Sequence, residues 1–117
     1  MKVTSHNGIV ICELSPEGEL LGSQLTAPDI IGEVYEADPD IIAVPLTRLA
    51  PGFLDLSTTI AGEVFQKMEQ YGRRLAIVGD VTPQASASQA LHGFITETNR
   101  RGHHLFATDF QSLLARL

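Results

Sequence analysis

The residues best placed to do chemistry in this sequence are grouped in the segment DLSTTIAGEVFQK, residues 55–67. It begins with one carboxylate and three hydroxyls, which belong to Asp55, Ser57, Thr58 and Thr59. Side chains of this kind at a helix start most often cap free N–H groups. They can also accept a phosphoryl group or bind a small anion there. Three hydroxyls exceed the needs of one cap, so the segment is a candidate binding or switch site.

Two more sets of polar residues follow predicted strands. Gly79 and Asp80 come directly after one apolar run, and Asp109 follows the last one. In open α/β sheets, ligands bind beyond the carboxyl ends of the strands, so we expect these residues to share a rim with Asp55 and Ser57. A hydrolase that uses Asp80 as a general base is one hypothesis, although the sequence has no Gly-x-Ser-x-Gly motif. A receiver-like phosphoacceptor site is disfavoured, because no lysine follows Asp109.

The histidines and the cysteine form no pattern typical of a metal or cofactor site. His6, His92, His103 and His104 are scattered, and no HExxH motif occurs. The two adjacent histidines straddle the start of a predicted strand, so their rings are predicted to point to opposite faces. Cys12, the only cysteine, lies in an apolar run and is expected to be buried and inert. We therefore expect no metal, no cofactor and no catalytic residue.

These polar residues need a framework of alternating strands and helices to position them. The dipeptide Asn7-Gly8 predicts a hairpin with a type I′ turn. Three short apolar runs predict strands covered on both faces, at 41–44, 75–78 and 104–108. Because a helix follows each of them, the strands should be parallel with right-handed crossovers. The predicted fold over residues 1–117 is one α/β domain, with a mixed, mostly parallel sheet, an antiparallel N-terminal hairpin and flanking helices.

The segment that begins at Asp55 predicts one continuous helix. Apolar side chains recur along it at helical spacing and form a stripe for the core: Leu56, Ile60, Val64, Met68 and Tyr71. Ala61 and Gly62 form a flat patch with Thr58 on this helix. Glycine costs about 1 kcal/mol in a helix interior, so the close approach of a neighbour would account for it. The patch therefore predicts an interface, either with a protein partner or in a homodimer.

Two further helices carry specific predictions. Thr26 and Asp29 match a capping box at the start of a helix, whose buried face should include Tyr35. A second helix is predicted over residues 86–101. Its buried face should be formed by Ala90, Leu91, Phe94 and Ile95.

The overall charge restricts the classes of partner. The chain has 14 acidic and 8 basic residues, a net charge of −6, which argues against a non-specific nucleic-acid binder. No apolar run approaches the length that crosses a membrane, and the N-terminus lacks a basic segment followed by an apolar one. We expect a cytoplasmic protein with no nucleic-acid or membrane partner.

Residues 53–56 and 61–67 closely resemble the runs FFDL and AGE-x-x-QK in the signature of the bacterial DUF4180 family. Residues 75–80 resemble its LAIVGD strand, and the helix that follows fits its S-x-x-L-x-x-FI-x-E-x-N-x-G pattern. The chain departs from the family pattern at Leu54, where a second Phe is usual, and at Thr59, where Gly is usual. It also carries an extra Arg between Asn99 and Gly102. The resemblance covers about residues 40–117 closely. It implies little chemistry, since the family has no assigned function.

A looser resemblance is to the STAS domains of anti-sigma-factor antagonists, which also begin with strands and then alternate helices and strands. In those domains a strand leads into Asp-Ser-Ser or Asp-Ser-Thr at a helix start, where a partner kinase phosphorylates the serine. The run Asp55-Leu56-Ser57-Thr58 has one residue inserted relative to that motif. The resemblance implies a STAS-like fold and a switch at Ser57 or Thr58.

The leading functional hypothesis is a non-enzymatic regulatory or protein-interaction module that uses the face around residues 55–62. Phosphorylation in this segment would add about −1.5 to −2 charge and change partner contacts. The alternative is a binding domain for a small anionic ligand at the C-terminal rim of the sheet, lined by the start of this helix and by Gly79 and Asp80. The hydrolase is the third hypothesis.

Overall fold

One five-stranded sheet organises the computed structural model, which describes all 117 residues. The strands lie in the sheet in their order along the chain: β1 (Lys2–His6), β2 (Ile9–Glu13), β3 (Ile41–Pro45), β4 (Arg74–Val78) and β5 (Leu105–Ala107). β1 pairs with β2 antiparallel, and all other neighbours are parallel. This confirms the mixed, mostly parallel α/β fold with its N-terminal hairpin.

The helices divide unequally between the two faces of the sheet. They are α1 (Ala27–Glu33), α2 (Ile60–Gln70), α3 (Thr82–Ser86), α4 (Gln89–Arg101) and α5 (Phe110–Ala115). Side chains of α1, α2 and α4 pack on one face, in or against a core cluster of 17 buried residues. The opposite face has a cluster of 7 buried residues, and of the helices only α5 contributes to it. None of the helices is both long and apolar enough to span a membrane.

The direction in which the chain leaves each strand follows from this arrangement. The chain leaves β2, β3 and β4 toward the face that carries α1, α2 and α4. After β5 it crosses to the opposite face and forms α5. The connections that follow β4 and β5 therefore diverge, whereas those that follow β3 and β4 run to the same side.

The local sequence signals at the N-terminal end are confirmed. Asn7 and Gly8 have φ angles of 52° and 78°, which a type I′ turn requires at both central positions. Thr26 accepts a hydrogen bond from the N–H of Asp29, whose carboxylate accepts from the N–H of Thr26, as in a capping box. Tyr35 follows α1 and is 71% exposed, so its predicted burial is wrong.

The prediction of one continuous helix from Asp55 is also wrong. A 3-10 turn occupies Leu56–Thr58, and Thr59 then adopts the left-handed conformation, with φ 65° and ψ 0°. The α-helix begins only at Ile60, because a left-handed residue cannot continue a right-handed helix. Val64 is buried as predicted, whereas Tyr71 lies past the end of α2 and is 55% exposed.

The helix predicted over residues 86–101 is divided into α3 and α4. Ser88 interrupts it in an extended conformation, and its hydroxyl accepts a hydrogen bond from the N–H of Leu91. Leu91 is buried as predicted. Ala90 is exposed, so its predicted burial is wrong.

Two polar side chains connect parts of the fold that are distant in sequence. Arg48 is buried, and its guanidinium donates to the carbonyls of Ser15, Glu17 and Glu19. It thereby holds the loop between β2 and α1 against the segment after β3. Asn99 of α4 both donates to the carbonyl of Phe106 and accepts from its N–H.

Candidate functional site

Asp55 and Ser57 form a compact turn at the surface. One carboxylate oxygen of Asp55 accepts hydrogen bonds from the hydroxyl of Ser57 at 2.7 Å and from its N–H at 3.0 Å. The hydroxyl bond and then the N–H bond lower the pKa of Asp55 below its ordinary value. Both residues are exposed. Asp55 is therefore ionised at neutral pH and caps the 3-10 turn.

The other two hydroxyls of the segment are also engaged in local structure. The Thr58 hydroxyl lies 2.8 Å from the carbonyl oxygens of both Gly52 and Asp55 and accepts from the N–H of Ile60 at 3.3 Å. The Thr59 hydroxyl donates to the carboxylate of Glu63 at 3.1 Å. The hydroxyls of Thr58 and Thr59 thus stabilise the junction between the 3-10 turn and α2.

The predicted interface pair is split between the interior and the surface. Ala61 is 1% exposed and belongs to the core beneath α2, so it cannot contact a partner helix, and its assignment to an interface is wrong. Gly62 is exposed, and a β-carbon added to it would meet nothing within 4 Å. No neighbour within the chain therefore requires this glycine. It lines a groove of about 340 Å³, as do Phe65 and Phe94.

Gly79 and Asp80 begin the connection that follows β4. Gly79 has a φ of 147°, and a side chain there would overlap Leu46, so both conformation and space require glycine. The hydroxyl and N–H of Thr82 lower the pKa of Asp80. The exposed Asp80 carboxylate is consequently a weak base at neutral pH, which removes the support for the hydrolase hypothesis.

Asp109 caps α5 through a local contact similar to that of Asp80. Its carboxylate accepts from the N–H of Ser112 at 2.7 Å. This N–H and the Ser112 hydroxyl lower the pKa of Asp109.

The structure does not bring the candidate rim residues into one site. Asp55 lines a cleft of about 440 Å³, together with Phe53, Leu54 and the start of α4. Gly79 lines a separate cleft of about 280 Å³, nearer to β5. The connections after β3 and β4 run to the same face of the sheet, and the cleft that contains Asp55 lies between them.

His103 and His104 depart from the prediction that their rings point to opposite faces. The ring centroids are 4.6 Å apart in an edge-to-face contact. With Glu69 they bring potential ligand atoms within 4.8 Å of one another, a spacing compatible with a metal ion. Sequence spacing did not indicate this group, because Glu69 comes from α2 and the two histidines precede β5.

The hydrogen bonds of His104 argue against a metal-binding role. Its Nδ1 accepts from the N–H of Leu75 at 3.0 Å, so the ring proton must be on Nε2. Nε2 lies 3.1 Å from the carbonyl of Phe65 and donates to it. A metal ion bound at Nε2 would have to displace this proton and break its hydrogen bond to Phe65. Burial, followed by the charge of His103, lowers the pKa of His104 to about 4, so His104 is a neutral residue that joins α2 to β4.

Together these features define a mixed α/β domain whose rim carboxylates and hydroxyls are engaged in helix and turn capping. The chain matches a family model over residues 6–117, described as a domain of unknown function (DUF4180), and belongs to that family. No curated protein and no solved structure matches it significantly.

Several residues that carry the family resemblance have structural roles in this fold. Ser88 caps α4, and Gly102 ends it with a left-handed φ of 77°. Thr58 holds the turn before α2. The left-handed conformation of Thr59 explains why glycine suits this position in the signature.

Proposed function

We propose that the protein is a non-enzymatic regulatory or protein-interaction module of STAS-like type, switched by phosphorylation of Ser57. It would act in the bacterial cytoplasm, on a protein partner or on a second copy of the chain. Its contact surface would be the exposed turn at Asp55 and Ser57 together with the adjoining outer face of α2 around Gly62.

The hydrogen bond between Ser57 and Asp55 is the observation that supports this proposal. A phosphate on the exposed Ser57 hydroxyl would place about −1.5 to −2 charge beside an ionised carboxylate. Repulsion between the two groups would oppose the cap that Asp55 gives to the Ser57 N–H. Because Asp55 lines the larger rim cleft, opening this turn would change the surface offered to a partner.

Ser57 fits a switch better than Thr58 does. The Thr58 hydroxyl lies within hydrogen-bonding distance of two carbonyls and holds the segment closed, so modification would first require that the turn opens. The anionic-ligand alternative is not supported beside Asp55, since the only ionised side chain lining that cleft is a carboxylate.

The test compares Ser57→Glu and Ser57→Ala with Ser86→Glu, a control that adds the same charge at an exposed serine of α3. Ser57 precedes α2 and faces Asp55, so Ser57→Glu should open the turn rather than stabilise a helix start. We expect amide resonances of residues 52–60 to shift, and the oligomeric state or the set of partners recovered from extract to change. Ser57→Ala should lower the free energy of unfolding by about 0.5 kcal/mol.

The control and the alanine variant separate a switch from a cap. Ser86→Glu should leave residues 52–60 and partner binding unchanged. If Ser57→Glu also leaves partners and oligomeric state unchanged, while Ser57→Ala loses stability, the turn is only a cap and the proposed switch is wrong.

A further inference from the structure

A cleft opens at the one place where neighbouring parallel strands send their connections to opposite faces of the sheet. The chain after β4 leads to α3 and α4, and the chain after β5 leads to α5 on the other face. In open α/β sheets such divergence creates the crevice in which ligands bind. The cleft of about 280 Å³ lies there, lined by Gly79 and Thr82 after β4 and by Thr108 and Ser112 after β5.

The lining of this cleft combines one cation with hydroxyls and an apolar wall. Arg116 is the only charged residue among those that line it. Its guanidinium donates to the carbonyl of Asn99 at 3.1 Å, which positions the group and leaves most of its five N–H donors for a ligand. Val81, Ile95 and Phe106 supply the apolar wall.

Thr108 supplies a second donor. Its hydroxyl lies 3.4 Å from that of Ser112, which is long for an O–H···O bond. A ligand oxygen can therefore compete for this hydroxyl.

Two carboxylates limit the charge that the cleft accepts. Asp80 bonds to Thr82, and Asp109 bonds to Ser112, so both lie next to lining residues. Their lowered pKa values keep them ionised at neutral pH. One guanidinium near two carboxylates favours a monoanion over a phosphate dianion, because repulsion grows with the ligand charge.

We infer that this cleft binds a small molecule with one carboxylate and an apolar body. The carboxylate pairs with the guanidinium of Arg116 and accepts from the Thr108 hydroxyl, and the apolar body lies against Ile95 and Phe106. The site goes beyond the proposed switch, since it shares no residue with the turn at Ser57.

The test is a titration of ¹⁵N-labelled protein with butyrate, acetate and inorganic phosphate at constant ionic strength. We expect saturable shifts at Thr82, Thr108 and Ser112, with butyrate binding most tightly because its chain reaches the apolar wall. Arg116→Gln should raise the butyrate dissociation constant at least about tenfold, as expected for loss of a charge-assisted bond. Asp109→Asn, which removes a repelling charge, should lower it.

The matched control is Arg100→Gln, which removes an exposed arginine that is paired with Glu97 outside the cleft. It should leave butyrate binding unchanged, as should Ser57→Ala. Shifts that do not saturate, an unchanged dissociation constant in Arg116→Gln, or tighter binding of phosphate than of butyrate would each overturn the inference. None of these outcomes bears on the switch, which is tested at Ser57 alone.

Discussion

Polar side chains at the rim and polar side chains in the interior make contacts of different range. Asp55, Asp80 and Asp109 bond to N–H groups two or three residues further along the chain. Arg48 and His104 bond instead to backbone groups 29 to 39 residues away. Rim contacts therefore close turns that form locally, whereas interior contacts join separate elements. Loss of an interior contact should cost more stability.

The largest effect should come from Arg48→Met, which keeps the apolar stem and removes the guanidinium. Three backbone carbonyls would lose their donor, and we expect the free energy of unfolding to fall by about 3 kcal/mol. Asp109→Ala, which removes only a local cap, should cost much less stability. Urea denaturation of both variants gives the comparison, and an equal or smaller loss in Arg48→Met would contradict it.

His104 should make stability depend on pH. Its pKa is lowered to about 4 in the folded protein, from an ordinary value of 6.5. As pH falls below 6.5, the unfolded chain takes up a proton that the folded protein does not bind, so stability should fall by about 2–3 kcal/mol down to pH 4. Above 6.5 this residue should have no effect.

Two variants isolate this contribution from that of the carboxylates. His104→Gln should be less stable at pH 7 but should lose less stability between pH 6.5 and 4 than the original chain. His92→Gln, which changes an exposed histidine, should keep the original pH dependence. An identical dependence in His104→Gln would mean that His104 is not held neutral by the fold.

The smallest predicted effect concerns the left-handed conformation of Thr59. Here the substitution should increase the stability of the protein. Thr59→Gly should raise the free energy of unfolding by about 0.5–1 kcal/mol, because a left-handed φ of 65° strains a β-branched residue. The lost hydrogen bond to Glu63 and the greater freedom of glycine in the unfolded chain reduce the gain. Thr59→Ala is the control, since it retains the β-carbon and should not stabilise. Destabilisation by Thr59→Gly would show that the hydroxyl matters more than the strain.

The difference between local and long-range contacts also explains how much of the fold was predictable. The hairpin turn at Asn7 and the capping box at Thr26 depend on neighbouring residues, so spacing alone indicates them. The central strands were predictable because short, unbroken apolar runs are typical of strands covered on both faces. The start of α2 was not, since threonine is an unusual residue for the left-handed conformation at Thr59. Only the glycine usual there in the family signature pointed to it.

The sequence indicated which residues follow the strands, but it did not indicate how these residues are arranged relative to one another. Gly79 and Asp109 do follow strands, as expected. Which connections diverge depends on the face that each helix covers, and spacing does not specify this. Arg48 was missed because its partners are backbone carbonyls, which no residue type reveals, and Arg116 because its position depends on the packing of α5.

The side chain of Asn99 has a consequence for how copies of this sheet can assemble. Its amide forms hydrogen bonds with the outward N–H and carbonyl of Phe106, as another strand would. The middle of the β5 edge therefore has no free backbone groups with which another strand could pair. The β1 border has no such cover, and its unpaired backbone can accept a further strand. Unlimited growth of a sheet by pairing between copies requires two edge strands with unpaired backbone groups. Strand addition to this sheet can therefore end only in a closed pair joined through β1, which protects the protein against fibre formation by this route.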